Sequence, residues 1–271
     1  MTYHVSFTCK PTDSVQRELN DLYDYQMDLG TLVNHRMRLN LFHQLVTSLI
    51  DKQIIHQFGT AIDIGCNCGF YAKMISDMGF GHVEGIDVER SYIDKAKSRF
   101  AVNGVDKSLS FRVQDAATLD ANLKYDLVLC TEVIEHTAEP LAVIEKIKAV
   151  LSPGGIAIVS LPNALSLPYL AAYTVKWITG RVDDSLKAHM KYPYFKVLSM
   201  FKGPHCRIIK TSATNLFLNT PLIRPIFQTP LFTPICRVNY SLAKAWPLKY
   251  FSQFFFLVVQ KTGRGGPRSR P

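Results

Sequence analysis

From residue 60 onward, short apolar runs of strand type alternate with longer stretches in which apolar positions recur every three or four residues. The first unit is Thr60-Ala61-Ile62-Asp63-Ile64-Gly65-Cys66-Asn67-Cys68-Gly69-Phe70-Tyr71-Ala72, which reads as strand, ligand loop, helix. His82–Val88 is a second strand with an acid, Asp87, near its end, and a helix follows over Tyr92–Phe100. Leu109–Ala116 alternates as a third strand and again ends in an acid, Asp115. Tyr125–Cys130 is apolar enough to be buried on both faces. It is followed by Thr131-Glu132-Val133-Ile134-Glu135-His136, a helix over Pro140–Leu151, a Ser152-Pro153-Gly154-Gly155 turn and a fifth strand over Ile156–Ser160. Arg207–Leu218 and Gln253–Gln260 read as the sixth and last strands. Two leading helices are expected, over 12–29 (Val15, Leu19, Leu22, Met27) and 36–55 (Met37, Leu41, Leu45, Leu49, Ile50).

Strands alternating with helices require right-handed crossovers and a parallel sheet whose ligand lies at the carboxyl ends of the strands. Asp63, Asp87, Asp115 and Glu132 all fall at such ends. Gly65 and Gly69 permit positive φ and leave no Cβ to obstruct a ligand. Asn67 stands where a dinucleotide-binding loop has its middle glycine, so a pyrophosphate is not the expected guest. Asp87 follows the glycines by about twenty residues, the spacing of a carboxylate that accepts from both ribose hydroxyls.

The D-x-G-x-x-x-G pattern of Asp63, Gly65 and Gly69, the run D-L-V-L-C-T-E-V-I-E-H over 126–136, and the helix and S-P-G-G turn that follow resemble class I S-adenosylmethionine-dependent methyltransferases, in particular the ubiquinone-biosynthesis O-methyltransferase-like group. The resemblance spans roughly residues 60–163. It implies an α/β, doubly wound, mainly parallel seven-stranded sheet with an antiparallel last strand, and S-adenosylmethionine as cofactor. Carried over residue by residue, the cofactor set is Asp63, Gly65, Asn67, Gly69, Asp87, Val88, Asp115, Ala116, Thr131 and Glu132, with Arg38 reaching the cofactor carboxylate. Asp115 and the Ala116 N–H suit an adenine edge. His136 and Glu135 are the expected catalytic pair, His136 as general base. Glu132, Glu135 and His136 would share a face if Glu132 opens a helix, and the resemblance then implies a divalent cation such as Mg there.

One methyltransferase domain is expected over 1–263, with N-terminal helices over 1–56, a cofactor-binding core over 57–163, a lid or membrane-contact insert over 164–200 and a long insertion over 219–250. A flexible basic tail follows over 264–271. The insert carries Leu167, Tyr169, Leu170, Tyr173 and Trp177; the insertion interleaves Ile223, Phe227, Phe232 and Trp246 with cations. With 47% hydrophobic residues, the 271-residue chain can bury a sizeable core. The net charge of +9 points to an anionic environment. Aromatic and aliphatic anchors among the cations favour an anionic membrane surface over a phosphate track, so a small-molecule, quinone-like or lipid-like acceptor is expected. RNA 2′-O-methylation and a non-catalytic cofactor-binding module are the rival readings. Six scattered cysteines and the absence of a signal-type pattern place the expected site of action in the cytoplasm, peripheral to the inner membrane surface. Oligomeric state is not legible.

Overall fold

The computed structural model describes residues 29–100, 108–218 and 229–262. The expected helix over 12–29, all but its last residue, and the basic tail over 264–271 lie outside them. The seven strands are β1 (Thr60–Ile64), β2 (His82–Asp87), β3 (Leu109–Val113), β4 (Tyr125–Thr131), β5 (Leu151–Pro162), β6 (Cys206–Thr214) and β7 (Phe254–Lys261). They form one sheet in the order β3-β2-β1-β4-β5-β7-β6. β1 to β5 pair in parallel, and β7 runs antiparallel to both β5 and β6. The fold is therefore the expected doubly wound sheet with an antiparallel last strand.

Helices lie on both faces, because the strands alternate which side chains they bury where. Leu127 and Leu129 of β4 join one core cluster, while Val128 and Cys130 join the other. The first core is covered by α1 (Leu29–Asp51), α2 (Phe70–Asp77) and α3 (Arg90–Phe100). On α1, Met37, Leu41, Leu45 and Leu49 recur every four residues and are all buried. The second core is covered by α4 (Pro140–Val150) and, further along, α7 (Tyr194–Phe201). Between β5 and α7 come α5 (Leu167–Ile178), capped by the Ser166 hydroxyl, and α6 (Asp184–His189), capped by the Asp183 carboxylate.

The structure departs from expectation in the turn before β5's apolar run, in the insertion and in the insert. The Ser152–Gly155 turn is built into β5 as an irregularity, with Tyr125 opposite Leu151 and Leu127 opposite Ile156. The 219–250 insertion contains a helix, α8 (Phe232–Leu242), whose face Phe232, Cys236, Asn239 and Tyr240 is buried in the first core cluster beside α1. Phe232 is thus core and not an exposed anchor, and Tyr169, expected on the surface of the insert, is also buried. Trp177 and Trp246 are exposed at 67% and 78%.

Asn163 is the clamp that fixes this region to the sheet. Its Nδ2 donates to the carbonyls of Tyr250 (2.8 Å) and Ser252 (3.1 Å), and its Oδ1 accepts from the N–H groups of Leu165 (3.2 Å) and Tyr194 (3.1 Å). Three chain segments thus converge on one fully buried amide. Asn163→Ala is expected to cost about 3 kcal/mol, since it leaves buried backbone groups unpaired; urea denaturation measures it, and an unchanged midpoint refutes the clamp.

Candidate active site

The β1–α2 loop turns through three left-handed residues, Gly65 (φ 71°), Asn67 (φ 49°) and Gly69 (φ 84°). A Cβ on Gly65 would sit 2.3 Å from the Val133 side chain, and one on Gly69 would sit 2.6 Å from the Phe111 ring. The glycines therefore serve the close packing of the loop against its own neighbours, more than clearance for a ligand. Asp87 holds the loop from β2: its carboxylate accepts from the backbone N–H of Asn67 (2.9 Å) and of Glu89 (2.9 Å). Asp115 accepts from the Ala117 N–H at 2.8 Å and starts a 3-10 turn over Ala116–Thr118.

These strand ends surround a cavity of about 850 Å³. Of the residues singled out in the sequence, Arg38, Gly65, Asn67, Asp87, Val88, Asp115, Ala116, Thr131, Glu132 and His136 line it. Asp63, Gly69 and Glu135 do not. Asp63 is fully buried beneath the loop, where Oδ2 accepts from the Ala72 N–H at 3.1 Å and burial pushes its carboxyl up to about 8. His35, Tyr71, Tyr92 and Gln114 also line the cavity, with no motif in the sequence to announce them. The volume lies within the range of small-ligand sites, and its carboxylates sit at successive strand ends, the places a nucleoside's ribose and base would need acceptors.

Glu132 does not open a helix. It leaves β4 with φ at +56°, and the helical turn that follows is a short 3-10 segment over Ile134–His136. Its N–H donates to the Ser160 carbonyl (3.1 Å), its Oε1 accepts from the Ser160 hydroxyl (2.8 Å), and its Oε2 is 3.4 Å from Arg38 Nη1. Arg38 lies over the Phe254 ring, 4.5 Å from its centre. Burial raises the Glu132 pKa, and Arg38 and Ser160 pull it back. A lone serine at the end of the apolar run Ile156–Val159 was the one available sequence signal for this partner.

Glu132 therefore faces Ser160 and Arg38, and the expected trio with Glu135 and His136 does not assemble. His189 of α6 takes the third place. Glu135, His136 and His189 offer ligand atoms all within 4.8 Å of one another. Glu135 is 3% exposed; among the described residues neither carboxylate oxygen has a hydrogen-bond partner, and Oε1 lies 3.7 Å from His136 Nε2. Burial, then the neighbouring Glu132, push the Glu135 pKa well up. His189 stacks on Tyr169 (centroids 5.4 Å apart) and meets His136 edge-on at 5.7 Å. Burial, followed by His136 and Arg38, lowers His189 to about 4. Burial and Lys191 lower His136 as well, so both imidazoles are neutral bases at physiological pH. An orphaned buried carboxyl facing two neutral imidazoles is a donor set that fits a divalent cation.

A cavity at the carboxyl edge of this sheet order, rimmed by strand-end acids, defines a nucleoside-binding class of α/β protein, and comparison with known proteins narrows it. A methyltransferase-domain family model matches residues 55–209, more than half the chain. The chain belongs to that family. It is 32% identical over 113 residues to the ubiquinone biosynthesis O-methyltransferase of Paraburkholderia phytofirmans, covering 42% of this chain and 48% of that protein. The enzyme of the same name from Rickettsia conorii is 28% identical over 165 residues, 59% of this chain and 54% of that one. The matches thus span about half the length of these relatives. Among solved structures, magnesium protoporphyrin IX methyltransferase from Synechocystis PCC 6803, with bound SAH, superposes with a TM-score of 0.60 at 16% identity, covering 93% and 95% of the two chains. The O-methyltransferase segment StiE O-MT gives 0.55 at 17% identity, over 83% and 75%. Both likenesses are of fold.

Asp87→Ala removes both the loop tether to Asn67 and the strand-end acceptor. S-adenosylmethionine affinity, measured by titration calorimetry, is expected to fall about tenfold or more. Unchanged affinity excludes Asp87 from the cofactor site.

Proposed function

We propose that the protein transfers the methyl group of S-adenosylmethionine to a hydroxyl of a small quinone-like or lipid-like acceptor. The observation that carries the reading is His136, a neutral imidazole on the cavity wall, beside His189 and Tyr169. The names of the ubiquinone biosynthesis relatives support oxygen as the accepting atom. S-adenosylmethionine, when bound, would supply a sulfonium-activated methyl, to whose carbon an acceptor oxygen bonds in line as the C–S bond breaks and the electron pair leaves with S-adenosylhomocysteine. The chain's own part is alignment and proton removal: Asp87 and Asp115 fix the nucleoside end, Arg38 and Glu132 the far wall, and His136 takes the hydroxyl proton at an imidazole nitrogen.

Glu135, His136 and His189 are alternatively the ligands of a divalent cation, which when bound would lower the pKa of the acceptor hydroxyl. Two imidazoles favour zinc or iron over magnesium. Peripheral association with an anionic membrane, on the cytoplasmic face, completes the reading. It is supported by the outward Leu167, Leu170, Val175, Trp177 and Ile178 of α5, the helix that follows directly on β5 at the cavity's edge of the sheet. No helix among the described residues is long and apolar enough to cross a membrane.

The test supplies labelled cofactor with a polyprenyl catechol in vesicles, a short soluble catechol, or RNA. Label in the catechols supports the reading, and label confined to RNA overturns it. His136→Ala is expected to lower kcat by about 10²- to 10⁴-fold with EDTA-insensitive activity in the wild type; EDTA loss restored by zinc would assign the trio to a cation.

The lowered His136 pKa sets the sign of the pH dependence. Only the neutral ring accepts a proton, so kcat/KM should rise with pH through a value below the usual histidine range and stay level above it. A rise centred near or above 7 argues against His136 as the base.

A further inference from the structure

The charge of this chain is divided unevenly. Residues 1–184 carry 17 lysines and arginines against 22 aspartates and glutamates, whereas residues 185–271 carry 14 and no acid at all. The acid-free part builds α7, β6, α8 and β7, one whole edge of the sheet. At the amino end of the parallel strands, opposite the cofactor cavity, this edge meets the end of α4 around a second cavity of about 730 Å³.

Its walls carry three lysines and a histidine. Lys148 comes from α4, Lys202 and His205 from the loop between α7 and β6, and Lys261 from the end of β7. The loop is fixed to β7: the Thr262 N–H donates to the His205 carbonyl (2.8 Å), and the Thr262 hydroxyl donates to the Pro204 carbonyl (3.3 Å). Lys261 Nζ donates to the carbonyls of Lys148 (2.8 Å), Ala149 (3.2 Å) and Leu151 (2.8 Å), and Lys124 Nζ also reaches Ala149 (2.8 Å). Two ammonium groups thus satisfy the α4 end and mask its negative dipole. Glu145 is the one acid of the lining; it pairs with Lys148 at 2.8 Å but is 71% exposed. A pair so exposed is weak and yields to a better anion.

We infer that this cleft binds a phosphate-bearing ligand, either a free phosphate ester or a phospholipid headgroup. Lys148, Lys202 and His205 supply donors from two sides, Lys261 adds charge behind them, and Lys is a common point-charge partner of phosphate. The cavity is of small-ligand size. The site is separate from the cofactor cavity and does not depend on which acceptor is methylated.

The experiment titrates the full chain with pyrophosphate, and separately with vesicles of 30% phosphatidylglycerol in phosphatidylcholine. The variants are Lys148→Glu with Lys202→Glu, and Glu145→Gln, with S-adenosylmethionine affinity and thermal unfolding as controls of folding. Saturable pyrophosphate binding is expected, weakened about tenfold or more in the double variant and tightened about two- to fivefold in Glu145→Gln. These opposite directions distinguish a site from general attraction to a basic protein, and Glu145→Gln carries the test alone if the double variant fails to fold. Vesicle binding lost in the double variant, with pyrophosphate bound only weakly, assigns the headgroup source. Absence of saturable binding to either probe, binding indifferent to the substitutions, or tighter binding to a short RNA that survives them overturns the proposal.

Discussion

The ion pair between Arg38 and Glu132 is the constraint on which the cofactor side of this molecule depends. Glu132 adopts a left-handed backbone that costs a non-glycine residue about 1 kcal/mol or more. It is held there by both the carbonyl and the hydroxyl of Ser160 and by the Arg38 guanidinium. Arg38 in turn is sandwiched against Phe254, so one carboxylate ties together the ends of β4 and β5, the start of β7 and the helix α1. Removing either partner leaves a largely buried charge uncompensated, typically about 3–5 kcal/mol. The wall of the cavity formed by His35 and Arg38 thus exists because a charge at the end of β4 requires an opposite one.

The protonation of the neighbours follows from that pairing. Glu132 has the arginine and the serine; Glu135 has, among the described residues, no hydrogen-bond partner for either oxygen and the charge of Glu132 close by. Two buried carboxylates at one site cannot both ionise cheaply, and Glu135, which lacks the arginine and the serine, is the one pushed well up. His136 and His189 are lowered by burial, so both rings of the cluster beside the cavity favour the neutral form.

The sequence made legible what periodicity and strand ends determine. Apolar runs located all seven strands, and the acids at 87 and 115 line the cavity because a parallel sheet brings every carboxyl end to one edge. What it could not show depended on long-range contacts. E-V-I-E-H looks like a helix start, but Ser160, nearly thirty residues away, draws Glu132 out of helical geometry. His189 reaches His136 only because α6 folds back over Tyr169. Tyr169 and Phe232 share the composition of surface anchors such as Trp177 and Trp246; which of them is buried is decided by packing across the sheet, and no local pattern carries it. Gly65 was legible as a turn residue, while its reason, the Val133 side chain against it, was not.

The two ends of the sheet also differ in charge, and this difference bears on turnover. Asp87, Asp115 and Glu132 line the cavity at the carboxyl edge, whereas Lys124 and Lys261 occupy the amino edge on the end of α4. Clefts lined by one sign of charge in low-dielectric walls raise the local concentration of the opposite sign. A cofactor bearing a sulfonium carries one more positive charge than the product left after its methyl departs. Arg38 offsets Glu132 on this lining, and Asp87 and Asp115 remain in excess, so the cavity would attract a sulfonium-bearing donor more strongly than the spent form, while hydrogen bonds that Asp87 and Asp115 accept from a nucleoside would hold both alike. The electrostatic difference between the two lies at the sulfur, so charge at this edge would favour exchange of product for fresh cofactor without loosening nucleoside contacts.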